Sequence, residues 1–178
     1  MKLLRTIRLD PSDTFVFEPA AEPGEWAVSG AFVFWNADAA SLEAKSRVAF
    51  RSGFLGVTSL GWSTLVQIVD AKPSDGQEVL AALAEQLTRY FGAPDMKAAR
   101  AAAEEEVNFA QSLCDHPSGT LIAVHRTYDD GEIRESFRTL RPRDPLKPHR
   151  VFSFVEIGDE NGAEQGVDLV NLAKEKQE

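Results

Sequence analysis

Residues 121–140, LIAVHRTYDDGEIRESFRTL, decide the fold, because two runs of alternating apolar and polar residues flank an Asp130-Gly131 pair. Asp-Gly is a two-residue hairpin loop, in which glycine supplies the positive φ that a tight turn needs. The loop fixes the register. It sets Tyr128 opposite Ile133, Arg126 opposite Glu135, Val124 opposite Phe137 and Ile122 opposite Thr139, a mostly apolar face crossed by one opposite-charge pair. The reverse face pairs Leu121 with Leu140, Ala123 with Arg138, His125 with Ser136 and Thr127 with Arg134. One side is core and the other is partly basic.

Upstream, residues 94–117 read PDMKAARAAAEEEVNFAQSLCDHP, with Met96, Ala99, Ala103, Val107, Ala110 and Cys114 forming one narrow apolar stripe at helical spacing. Pro94 suits the first position of that helix. A second long helix is predicted from Ser74, whose spacing to Gln77 is a capping-box pattern, through Val79, Leu80, Leu83, Leu87 and Phe91 to a stop at Gly92. Asp38 fits the cap of a shorter helix running to a left-handed Gly53, with Leu42, Ser46, Ala49 and Phe50 inside.

Strands are predicted over residues 2–9, 14–17, 25–35, 62–71 and 151–157, each bounded by Pro, Gly or Asp turn signals. Residues 141–148 read as an extended loop and 158–162 as a turn. Val167, Val170 and Ala173 have the spacing of a last helix, and the tail at 174–178 is expected to be mobile. The expectation is one α+β domain over residues 1–178. Its sheet is mainly antiparallel, with about six to seven strands, and is packed by two long helices and one or two shorter ones.

Composition narrows the function. The chain has 178 residues, 43% hydrophobic and 26% charged, and its net charge of -9 disfavours nucleic acid and anionic membrane surfaces as partners. One cysteine rules out an internal disulfide and suits the cytoplasm. Arg5, Arg8 and Asp10 interrupt any apolar leader, and no run is long enough to span a bilayer. A soluble protein is expected, with a homo-oligomer or a protein partner as the association it would make.

Four groups of residues could carry function. Cys114, His116 and His125 with Glu106 offer thiolate, imidazole and carboxylate ligands, but Cys114 and His116 flank a single residue and no second ligand pair exists. Cys114 fits better as a small hydrophobe ending the stripe, with His116 hydrogen-bonding the last helix carbonyls. A Cys-His nucleophile is disfavoured at a helix C-terminus, where the dipole raises a thiol's pKa. Glu104, Glu105 and Glu106 diverge by about 100° per residue, so only Glu106, beside the stripe, is placed for partial burial.

His125, Arg134 and Arg138 share the hairpin's reverse face and form the anion-binding candidate, with a solvated charged face as the plainer reading. Trp26, Phe32, Phe34, Trp35 and Trp62 form the candidate aromatic patch or pocket. No Walker loop, dinucleotide glycine fingerprint, HExxH pair or nucleophile elbow is present, and no cofactor is called for.

AFVFW at 31–35, SLCDHPSGTLIAVHRT at 112–127 and GEIRESFRTL at 131–140, with the start MKLLRTIRLDPSDTFVFE, resemble a family of uncharacterised proteins of proteobacterial type, a domain of unknown function. The resemblance spans the chain. It implies a single-domain cytoplasmic bacterial protein and supplies no activity, cofactor or catalytic residue. The leading expectation is a non-catalytic binding or accessory protein using the aromatic patch or pocket, with a homodimer as one form. The alternative is a small metal-dependent or acid-base enzyme using Cys114, His116, His125 and Glu106.

Overall fold

The computed structural model describes residues 1–37, 41–142 and 154–157. Within them the hairpin forms as its loop dictates: β6 (Leu121–Asp129) and β7 (Glu132–Pro142) pair in the register read from the sequence, Leu121 with Leu140 through to Asp129 with Glu132. Asp130 and Gly131 both take positive φ, at 51° and 84°.

This hairpin is one flank of an eight-stranded sheet completed by β1 (Lys2–Ile7), β2 (Trp26–Val28), β3 (Phe54–Gly56), β4 (Trp62–Ser63), β5 (Leu65–Asp70) and β8 (Phe154–Ile157). The order is β4-β3-β2-β1-β5-β6-β7-β8, with every neighbouring pair antiparallel. The fold is α+β, as expected. Its strand count is raised by a break at Thr64, whose backbone N–H and hydroxyl both donate to the buried Asp13 carboxylate, at 3.2 and 2.6 Å. That break lets residues 62–70 belong to both the edge and the centre of the sheet, which therefore curls back on itself.

Two long helices cover one face. In α3 (Pro73–Tyr90), Val79, Leu83, Ala84 and Leu87 are buried, each fully buried leucine being worth on the order of 1.5–3 kcal/mol. In α4 (Met96–Ser112), the stripe Ala99, Ala103, Val107 and Ala110 is buried and runs on to Cys114. Beneath them Leu4, Val66, Ile68, Ile122 and Val124 share the same face by register. Small alanines let α4 approach the sheet and α3 closely.

Several local expectations are corrected. Residues 14–16 are helical, and only Phe17 of the expected strand is extended: Pro11 sets the entry, Asp10 accepts from Ser12 N–H at 2.7 Å, and α1 (Ser12–Val16) follows. The strand expected over 25–35 is three residues long. Gly30, at φ 79°, ends it, and a Cβ there would lie 2.6 Å from the Leu55 Cβ, so the backbone turns into a 3-10 helix, Ala31–Phe34. The shorter helix α2 (Ala44–Ser52) starts after Glu43, and the expected cap Asp38 lies outside the described residues. Gly53 is extended, at φ -98°, not left-handed, and glycine is needed there because a Cβ would lie 2.7 Å from the Trp62 ring.

Cap chemistry also shifts, by two residues at each long helix. Asp75, not Gln77, accepts the Lys72 N–H at 2.8 Å, with Pro73 rather than Ser74 opening α3. Asp95, not Pro94, begins α4 by accepting from Ala98 N–H at 2.8 Å. Shorter Asp side chains next to the first turn win because they reach the orphan donors without strain. The predicted turn at 158–162, the helix near Val167, the tail at 174–178, and most of the 141–148 loop and of the lead into β8 lie outside the described residues.

Candidate functional site

The apolar face of the β6–β7 hairpin carries one charged pair, and the tertiary structure buries it. Arg126 is 1% exposed, and its Nε donates to Glu135 Oε1 at 2.6 Å. Its Nη1 donates to the Phe50 carbonyl at 3.1 Å and the Gly53 carbonyl at 2.7 Å, at the C-terminus of α2. Its Nη2 donates to the Ser29 carbonyl and, at 3.1 Å, to Ser29 Oγ. A guanidinium has five N–H donors. Five acceptors face them, so the group is saturated.

Ser29 Oγ in turn donates to Glu135 Oε1. Burial pulls the Arg126 guanidinium below its ordinary pKa, opposed by the negative charges of Glu135 and Glu106. The result is a buried bracket joining β6, β7, the turn after β2 and the end of α2. Tyr128, one step along the same face, adds to it by sharing its single O–H between the Phe34 carbonyl at 2.8 Å and the Ala37 carbonyl at 2.6 Å. Its ring stacks on Phe50 at 5.0 Å.

Over this bracket sits Glu106 of α4. Its Oε2 is buried without a hydrogen-bond partner. Its pKa is raised to about 7, first by burial, then by Glu135, with Arg126 opposing and Glu105 adding a little. A carboxyl titrating there can hold or release a proton near neutrality. Glu104 and Glu105 are exposed, the divergence expected of consecutive helical residues.

The other candidates are placed apart. Cys114 is buried and its Sγ donates to the Ala110 carbonyl at 3.4 Å, while burial pushes its thiol up to about 11, with Lys2 opposing. It is a protonated thiol, not a nucleophile at neutral pH. His116 gives its backbone carbonyl to Lys2 Nζ at 2.8 Å, and His125 projects exposed from the reverse face of β6. Among the described residues no group of three or more His, Cys, Asp or Glu side chains could hold a metal ion. Glu106, Cys114, His116 and His125 thus form no common centre.

His125, Arg134 and Arg138 do share one exposed face, as the register requires. Arg134 Nη1 is engaged there by Asp129 at 2.8 Å, with both side chains about half in solvent.

The five aromatic candidates divide. Phe34 and Trp62 are core, 5.2 Å apart and tilted, and Trp26 is half-buried beneath the Arg5 guanidinium at 3.8 Å. Phe32 meets Phe91 edge-on at 5.3 Å. Trp35 is 77% exposed. A shallow apolar recess lies under α3 and α4, lined by Leu3, Leu4, Ala27, Val79, Val107 and Ala110 among others, with no space inside for a water molecule. Of the aromatic candidates only Trp26 touches it. A surface patch survives as a candidate, whereas a ligand-sized aromatic pocket is not seen there.

Sequence reading paired Arg126 with Glu135 and did not single them out. An ion pair on an otherwise apolar strand face was the available signal. Ser29 and the carbonyls of α2 gave none, because backbone acceptors carry no sequence signature.

Fold and site together define a curled-sheet α+β domain organised on a buried arginine bracket. The chain belongs to a family of unknown function, DUF6505, whose profile matches residues 1–153. No curated protein and no solved structure matches the chain. No helix among the described residues is long and apolar enough to cross a membrane.

Proposed function

We propose that this protein is a non-catalytic binding protein that docks a second copy of itself through the aromatic surface around Trp35. The observation that carries this reading is an exposed indole on an anchored segment. Trp35 is 77% exposed while its neighbour Phe34 is 5% exposed, and Tyr128 holds the carbonyls of Phe34 and Ala37 on either side. Residues three apart in a 3-10 helix eclipse one another, which sets Trp35 beside Phe32 and hence near Phe91. Aromatic anchors already held in place lose little entropy on binding and dominate interface energies. The reading includes a bacterial, cytoplasmic setting, supported by the family resemblance and the single buried cysteine.

Light scattering over a concentration series tests it. Self-association that weakens at least tenfold in Trp35→Ala, with unchanged circular dichroism, is the expected result. A wild-type chain that stays monomeric at high concentration overturns it.

The enzymatic alternative draws on one observation, the Glu106 carboxyl titrating near 7, a value suited to general acid-base work. Against it, Cys114 is a protonated buried thiol and His125 lies on the opposite face of the sheet.

A further inference from the structure

We propose that Glu106, Arg126 and Glu135 form a proton-binding site that controls how firmly the Trp35 segment is held. Each of the five N–H donors of Arg126 already has an acceptor in Glu135, Ser29, Phe50 or Gly53. Glu106 Oε2 is buried beside this cluster with nothing to accept from. The charged groups acting on it are Glu135 on β7, Arg126 on β6 and Glu105 on its own helix. The other elements packed near α4 present Leu4 on β1, Ala27 and Val28 on β2, and Val79 on α3. Among the described residues, Arg126 is the one cation that acts on Glu106.

Two carboxylates and one guanidinium therefore leave one excess negative charge in a buried site. A proton on Glu106 removes that charge at little cost, and it also gives the cluster an O–H donor. When the proton leaves, an ionised Glu106 attracts Arg126, and a guanidinium with no spare donors can respond only by giving up an existing bond. Two of the bonds at risk go to Ser29, which lies one residue before Gly30 and the 3-10 helix leading to Trp35. Below neutrality the segment is held; above it the hold loosens.

The inference rests on the docking reading for its biological use, but its conformational part can be read in the isolated monomer. Protein carrying 5-fluorotryptophan is titrated by fluorine NMR between about pH 5.5 and 9, with the Trp35 resonance assigned from Trp35→Phe. The expected result is a one-proton transition of the Trp35 signal with a midpoint near 7, which disappears in Glu106→Gln and leaves that variant at the low-pH position. A Trp35 signal that does not move overturns the proposal. So does an unchanged midpoint in Glu106→Gln, which would assign the transition to a histidine. A clear transition in a chain that light scattering finds monomeric would retain the switch and discard the docking surface.

Discussion

The β6–β7 hairpin carries two arginine–carboxylate pairs of the same chemistry on opposite faces. Arg126 and Glu135 lie on the inner face with side chains 0% and 15% exposed, whereas Arg134 and Asp129 lie on the outer face at 64% and 47%. Their N–O distances are close, 2.6 and 2.8 Å. Distance therefore does not separate them. The outer pair stands in solvent that screens it, and such pairs are worth about 0–1 kcal/mol. The inner one has lost its water and holds three backbone carbonyls as well, so removing either partner strands charges and acceptors that solvent cannot reach.

The contrast is broken most severely by Arg126→Ala. It should destabilise the fold by about 3–5 kcal/mol in urea unfolding, because Glu135 and the carbonyls of Ser29, Phe50 and Gly53 lose their donor together. An effect no larger than that of an outer-face variant would refute the division between the faces.

Glu106→Gln sharpens the same contrast through pH. A carboxyl whose folded pKa, about 7, lies above its ordinary 4.5 binds its proton more tightly when folded. The native state is then favoured by low pH. Below about 4.5 both states are protonated and no penalty exists. It grows as pH rises through the window and is complete above about 7. Glu106→Gln should thus be nearly neutral at pH 4 and stabilising by on the order of 1–3 kcal/mol at pH 8, with a flatter stability curve between. Unfolding midpoints that run parallel for the two proteins across that range would count against a buried, proton-holding Glu106.

The smallest effect belongs to Arg134→Ala, expected to change stability by about 0–1 kcal/mol and by less at high salt. Urea unfolding at two ionic strengths checks it. A loss comparable to that of Arg126→Ala would mean that exposure does not govern the value of these pairs.

How far the sequence could be read differs between these faces too. The register of nine residue pairs followed from Asp130-Gly131, so the sharing of a face by His125, Arg134 and Arg138 was legible, as was Arg126 opposite Glu135. The stripe from Ala99 to Cys114 gave α4 and the burial of the thiol. Residues 25–35 misled, because their apolar load is that of a strand while Gly30 breaks it. Trp26, Phe34, Trp35 and Trp62 are equally aromatic, yet one is 77% exposed and two are core. Composition does not carry that distinction.

What the sequence by itself determined is local: loop chemistry set a hairpin, helical spacing set α3 and α4, and alternation set which strand face is apolar. These follow from interactions among residues close in the chain, whose geometry is nearly fixed. Only the tertiary structure decided what the buried arginine bonds to beyond Glu135. Its partners at Ser29, Phe50 and Gly53 lie more than seventy residues away and act through backbone carbonyls that every residue possesses. Folding removed the water from that site. The missing solvent separates the Arg126 bracket and the raised Glu106 carboxyl from the solvated pair on the other side of the same two strands.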